Sequence, residues 1–184
     1  MKLAQSYRLA FAFSFVLVAC GNEDKRTPAE ISREEQKETW KKEIADLEEE
    51  MASSKDSLPR TVATDLLAHY VDYINAYHND SLSPRYTYEA ANVAAGLGKF
   101  QKSIELLSNY HEGYPNAKDR DKAVYLIGFL YDSQLHDDDK AIKYYNKVIE
   151  LYPNSPYAQQ AKDALQWVGL SDEEILKKIE EINK

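Results

Sequence analysis

From residue 57 to the end, apolar positions recur in short amphipathic stretches of helical period, and glycine, proline, asparagine and aspartate stand between them. Ile104, Leu107 and Tyr110 form one such stripe. Val124, Ile127, Gly128 and Tyr131 form another, and Ala141, Tyr145 and Val148 a third. Spacings of three and four place each set on one face of an α-helix. The pattern predicts helices over 60–78, 84–97, 99–113, 119–134, 138–151 and 155–168. Gly98 stands where a left-handed residue would end a helix. Ser155-Pro156 suits a helix start, with a capping serine and a proline in the first turn. After Gly169, Ser171-Asp172-Glu173-Glu174 is a capping box that opens a last helix to about 183. Its Ile175, Leu176 and Ile179 are expected to cover the open end of the stack.

Residues 30–56 carry a different pattern. Trp40, Ile44, Leu47 and Met51 lie at steps of four, three and four on a highly charged segment. They predict one amphipathic helix, with Glu38 and Lys42 as an i, i+4 pair. Two roles stay open for it: a helix whose stripe docks on the repeats or on nothing, or one that associates with a second copy or a partner. Ser57-Leu58-Pro59 separates it from the repeat region.

The helical stretches repeat. Leu66-Leu67 … Tyr77-His78-Asn79, Leu106-Leu107 … Tyr114-Pro115-Asn116 and Tyr144-Tyr145 … Tyr152-Pro153-Asn154 are three similar blocks. Their Tyr-x-Asn elements begin at 77, 114 and 152, a period of 37 and then 38. A period of this length is the mark of a stacked helical array. Small residues recur in register: Ala91 and Gly128 in the first helix of each unit, Ser103 and Ala141 early in the second. Large residues follow four later, Leu107 and Tyr145, and each unit ends in Pro115 or Pro153.

These residues resemble tetratricopeptide repeats. The resemblance implies an all-α fold, a short helical solenoid flanked by the charged N-terminal helix and a C-terminal capping helix. It departs from the family where no Trp opens the first helices and where Tyr110 and Val148 replace a small residue. The first block has His78 in place of proline and reads as half a repeat. Tyr152-Pro153-Asn154-Ser155-Pro156-Tyr157-Ala158 is similar to repeats of cell-envelope proteins, including the lipoprotein of the barrel-assembly machine and the periplasmic partner of the Tol–Pal system. By analogy with the family's ligand-contact positions, Arg85, Tyr88 and Asn92 line the inner surface from one repeat. Tyr125, Phe129 and Asp132 line it from the next. A surface of aromatics, amides and one arginine suits a peptide or an extended protein segment.

The N-terminal residues bear on address. Lys2 and Arg8 precede an apolar run from Leu9 to Ala19, broken only by Ser14, and no acid occurs before Cys20. A basic start, a short apolar run and small residues before a cut site make a secretory signal. The run would span roughly 16 Å as a helix, about half of a bilayer core. Leu17-Val18-Ala19-Cys20 resembles a bacterial lipobox, and the resemblance implies acylation of Cys20 and cleavage before it. The expected organisation is a signal peptide over 1–19, an acylated tether over 20–29, the charged helix over 30–56 and the repeat domain over 57–184. The expected location is the cell envelope, lipid-anchored at the outer membrane, on its periplasmic face or at the surface. Gly21-Asn22-Glu23-Asp24 carries no Asp directly after the cysteine, and its acids look like the surface-export signal of some Bacteroidetes lipoproteins.

Charge and chemistry narrow the function. Loss of residues 1–19 removes two cations and no acid, moving the net charge from −8 to −10. That balance, without a basic aromatic stripe, speaks against nucleic acid. Cys20 is the lone cysteine, so no internal disulfide is available. His69, His78, His111 and His136 have no zinc-site spacing. Asp137-Asp138-Asp139 lacks the alternation of a calcium loop and reads as a helix cap. No phosphate loop or nucleophile elbow occurs. The reading is therefore a protein with no enzyme activity, no cofactor and no metal, an adaptor or scaffold for other envelope proteins. The alternatives are a glycan- or nutrient-binding accessory lipoprotein and a lipoprotein that self-assembles through residues 30–56.

Overall fold

In the computed structural model, residues 27–53 and 59–182 are described. They form helices α1 (Pro28–Ser53), α2 (Arg60–Ala76), α3 (Ser83–Gly96), α4 (Phe100–Gly113), α5 (Arg120–Leu130), α6 (Asp138–Leu151), α7 (Pro156–Ala164) and α8 (Asp172–Ile182). A π-helical turn, Tyr131–Leu135, extends α5. No strand occurs among the described residues. Consecutive helices from α1 to α7 pack on one another, and α5 also touches α7. The fold is all-α and tetratricopeptide-like, as the resemblance implies.

The three Tyr-x-Asn elements fold alike. Tyr77, Tyr114 and Tyr152 each follow the last residue of a helix, and each backbone N–H donates to the carbonyl four residues back, at 2.8, 3.3 and 2.9 Å. Each tyrosine carbonyl then accepts from the residue three ahead: Asp80, Ala117 and Ser155, at 2.8, 3.0 and 2.9 Å. The first copy makes this turn without proline, so proline reinforces the geometry rather than creating it. The single extra residue in the third period lies in the region of the π turn. There Asp137 N–H reaches back to the Tyr131 carbonyl at 2.9 Å, and His136 takes a left-handed φ of 51°. A wider turn absorbs one added residue without breaking the stack. This is why α5 ends at Leu130 and not at the expected 134.

Small residues set the helix crossings. Ala90, Ala91 and Ala94 of α3 and Ser103 of α4 are buried. At Gly128 the approach is closest: an added Cβ would lie 2.8 Å from Tyr145 Cδ1 and 3.3 Å from the Tyr145 backbone nitrogen. Tyr145 is fully buried, so its ring has nowhere to go. Tyr110, an unusual bulky residue for its place in the repeat, is accommodated by a tilted ring contact with Tyr88 at 5.1 Å and by donating its hydroxyl to the Lys118 carbonyl.

The half-repeat has its missing partner in α1. Ile44 is fully buried, and Trp40, Leu47 and Met51 pack against the same core. Burial of Ile44 alone contributes about 2 kcal/mol. Trp40 meets Tyr77 edge-on at 5.9 Å. Of the two roles left open for this stripe, docking within the chain is the one observed. The polar side is tied as well. Lys37 pairs with Asp80 at 2.8 Å, and Tyr73 donates to the same carboxylate at 2.9 Å. Thr27 and Glu30 form a capping box: Thr27 N–H donates to Glu30 at 2.6 Å and Glu30 N–H to Thr27 Oγ1 at 3.3 Å. The helix accordingly starts two residues before the expected 30. Glu38 pairs with Lys41 at 2.7 Å and not with Lys42.

The other caps agree closely with the sequence pattern. Gly98 is left-handed at φ 76°. Ser155 Oγ accepts from Tyr157 N–H at 3.0 Å, and Asp137 accepts from Lys140 N–H at 3.1 Å. Ser171 and Glu174 bond reciprocally. One expectation fails. Leu176 and Ile179 do not cover the stack; they are 63% and 43% exposed. Lys178 holds α8 instead, donating to the Gln166 carbonyl at 2.6 Å and lying 4.9 Å over the Trp167 ring. The stack already ends on α7, whose outward Gln159, Gln160 and Asp163 are polar and exposed, so α8 has no apolar end to cover.

This packing sets two expectations for stability. Gly128→Ala gains about 1 kcal/mol of helix propensity but overpacks the crossing by more. A net loss of about 1–2 kcal/mol is expected in denaturant unfolding, with a lowered midpoint. At Asp80, burial pushes the carboxyl up, but Lys37, the Leu82 N–H and the Tyr73 hydroxyl together hold it down at about 2. A carboxyl depressed in the folded state stabilises above its unfolded pKa of about 4, and that contribution fades as pH falls from about 4 towards 2. Asp80→Asn should therefore cost about 1–2 kcal/mol at pH 7 and progressively less as the pH approaches 2, read from paired unfolding curves.

Candidate interaction surface

The first helices of the successive hairpins, α1, α3 and α5, and then α7, are bridged by side chains that cross from one to the next. Glu48 of α1 accepts from Arg85 of α3, Nη2 lying 2.6 Å from both carboxylate oxygens, and also from the Tyr70 hydroxyl. Lys122 of α5 lies 5.5 Å over the ring of Tyr88 on α3. Tyr125 of α5 packs on Tyr157 of α7 at 5.6 Å. Each junction of the solenoid is thus closed by one contact on this face.

The six residues expected to line the surface fall on these two helices and the turn that extends α5. Arg85, Tyr88 and Asn92 sit three and four apart on α3. Tyr125, Phe129 and Asp132 sit four and three apart on α5 and its π turn. Spacing of this kind gives each trio a common face. Arg85 and Asn92 are exposed, and Asn92 donates to Glu89 at 3.3 Å. Tyr88 is half-buried, its hydroxyl oxygen inaccessible and without a hydrogen-bond partner. Burial pushes that hydroxyl's pKa up, against the pull of Lys122.

The second trio exposes one large apolar ring between two half-buried residues. Phe129 is 42% exposed and stacks on Tyr125, rings 6.4 Å apart and 22° from parallel. Tyr125 also touches Tyr145 at 5.7 Å. Asp132 Oδ2 accepts from the Tyr145 hydroxyl at 3.1 Å. Burial first, then the Asp132 charge, pushes the Tyr125 hydroxyl up. The Tyr145 hydroxyl is pushed up for the same two reasons and stays a neutral donor.

Sequence reasoning missed the partners of these residues. Nothing in the order of residues couples Glu48 to Arg85 across 37 positions, or Lys122 to Tyr88 across 34. It also missed a cleft of about 930 Å³ between the C-terminal ends of α2 and α4. Asn75, His78, Asn79, Asn109, Glu112 and Tyr114 line much of it, and none of the six expected residues does. The available signal was the Tyr-x-Asn recurrence, which brings two such turns side by side. His111 is buried, and its Nε2 lies 3.1 Å from the Tyr152 hydroxyl. Burial, with Lys147 and Arg120 nearby, lowers its pKa and keeps the ring neutral. Among the described residues, no group of three or more His, Asp or Glu side chains is placed to hold a metal ion.

Comparison with known proteins agrees with the repeat fold. A family model described as Tetratricopeptide repeat matches residues 122–155. The match runs from Lys122 through α6 to the cap of α7, so it covers the second trio. An uncharacterized protein of Borreliella burgdorferi is 39% identical over 67 residues, 35% of this chain. The chain spans about a fifth of that relative's length. The protein is a tetratricopeptide-repeat-containing chain, and its matched repeat carries Tyr125, Phe129 and Asp132.

Proposed function

We propose that this protein is a lipid-anchored adaptor of the bacterial cell envelope that captures a segment of another protein on the face shared by α3 and α5. Tetratricopeptide repeats mediate protein–protein interaction, which supports the general class. The observation that carries the reading is the Tyr125–Phe129 stack, in which the Phe129 ring is 42% exposed on a face whose helix junctions are closed. Exposed aromatics on a rigid helix are effective anchors because their burial on binding is large and little side-chain entropy is lost.

The anchor rests on the sequence alone. Lys2, Arg8, the apolar run and Leu17-Val18-Ala19-Cys20 lie outside the described residues. Among the described residues no helix is long and apolar enough to cross a membrane. Acylation of Cys20 would confine the chain to a membrane and raise its effective concentration near other envelope proteins. The mechanism is passive capture. A glycan-binding role has less support, because Trp40 packs on Tyr77 and Lys178 covers Trp167. Self-association through Trp40, Ile44, Leu47 and Met51 would require α1 to leave the core.

Two experiments test the two halves of this reading. Cys20→Ser should move the chain from the membrane fraction to the soluble fraction, and unchanged membrane retention argues against the lipid anchor. Crosslinking of the native chain in its own envelope, followed by mass identification, should capture a protein partner. Tyr88→Ala with Tyr125→Ala should lower that capture at least about tenfold if these aromatics anchor the segment. Intact crosslinks on a folded double variant would place the partner elsewhere.

A further inference from the structure

The Tyr125–Phe129–Asp132 face has a chemical preference that the general adaptor reading does not supply. Asp132 forms no ion pair among the described residues. Its one hydrogen bond there, from the Tyr145 hydroxyl, uses Oδ2 and comes from a neutral donor. Oδ1 is left for another group. The carboxylate is half-buried, three residues from the exposed ring of Phe129 and seven from Tyr125. The two rings lie 22° from parallel in a stacked pair, Phe129 42% exposed and Tyr125 half-buried against Tyr145 and Tyr157.

A carboxylate beside a partly exposed aromatic pair attracts cations twice. The carboxylate supplies a charge-assisted hydrogen bond, and the ring faces attract positive charge through their quadrupoles. The cations already on this surface are engaged elsewhere: Arg85 holds Glu48, and Lys122 lies over Tyr88. An acidic or C-terminal carboxylate ligand would face Asp132, and Lys122, one turn before Tyr125, is engaged by Tyr88. The overall acid excess of the chain adds a long-range pull on a basic partner.

We propose that the Tyr125–Phe129–Asp132 patch is a receptor site for an arginine or lysine side chain of an extended basic segment in the partner protein. This rests on the adaptor reading above and deepens it. The planar guanidinium fits best, since it lies flat on an aromatic face while donating to a carboxylate in its own plane.

The test titrates the full chain in detergent with acetylated, amidated octapeptides that alternate serine with arginine, glutamine or glutamate. Ring resonances of Tyr125 and Phe129 report binding. The arginine peptide should shift them, and the other two should not. Asp132→Asn keeps an oxygen for the Tyr145 hydroxyl and should weaken arginine-peptide binding at least about fivefold. Phe129→Ala, at an exposed position, should do the same. Glu173→Gln with Glu180→Gln on the exposed face of α8 should leave it unchanged.

Unchanged affinity in Asp132→Asn overturns the proposal. So does equal weakening by the α8 double variant, which would mark diffuse attraction to an acidic surface. If the glutamine or glutamate peptide shifts the same rings as strongly, the cation preference falls and the adaptor face stands. If no peptide reaches those rings, the proposal falls, and crosslinking of the Tyr88→Ala, Tyr125→Ala variant judges the adaptor reading separately.

Discussion

The stack depends on how closely two helices can approach where side-chain volume is withheld. At Gly128 the backbone of α5 comes near enough to α6 for the Tyr145 ring to occupy the space a Cβ would need. Ala90, Ala91 and Ala94 serve α3 in the same way against α4, with Ser103 in the facing helix. Close crossings fix the hairpin angle, and the hairpin angle decides which side chains of α3 and α5 share a face. The interaction surface is therefore a consequence of small residues that are not on it. Interior packing is close to crystalline density, so the placement tolerates little change in volume.

Tyrosine does the complementary work. Its ring fills the larger gaps between helices, and its hydroxyl satisfies a polar group at the edge of the core. Tyr70 reaches Glu48, Tyr73 reaches Asp80, Tyr110 reaches the Lys118 carbonyl and Tyr145 reaches Asp132. Burial holds all four hydroxyls protonated, so each serves as a donor. In this way four buried rings each orient a residue on the surface or in a turn. The Asp132 carboxylate is positioned by the core residue that also fills the space beside Gly128. Core and candidate site are built from the same ring.

Helix α1 shows where local patterning stops being informative. Its stripe predicts an amphipathic helix, and the residues of the stripe are the ones that pack. The pattern leaves open what the stripe meets, because an apolar face on a charged helix is equally suited to a neighbouring helix or another chain. The answer comes from α2. Its Leu66, Tyr70 and Tyr73 line a core that would lie open without α1, and the Lys37–Asp80 pair ties the polar rim. The cap at Thr27-Pro28-Ala29-Glu30 is legible as a T-x-x-E box, a sharper signal for the helix start than the charge pattern that places it at 30. The α8 stripe is the converse case. It has the right period and a correct capping box, yet Leu176 and Ile179 stay largely exposed, since α7 already ends the stack with a polar face.

Periodicity, capping residues and the 37-residue recurrence by themselves determined the number of helices in the repeat region, most of their starts and the solenoid class. These are local properties, set by backbone preferences and by which faces must leave water. The six candidate surface residues were placed through the family resemblance, and they lie on the helices it implied. Only the tertiary structure decided that α1 completes the first hairpin, that Arg85 is held by Glu48 and Lys122 by Tyr88, and that Asp132 keeps an oxygen open beside two stacked rings. Such pairings depend on distances between helices far apart in sequence. Those distances follow from packing volumes at the crossings, which no single stretch of sequence contains.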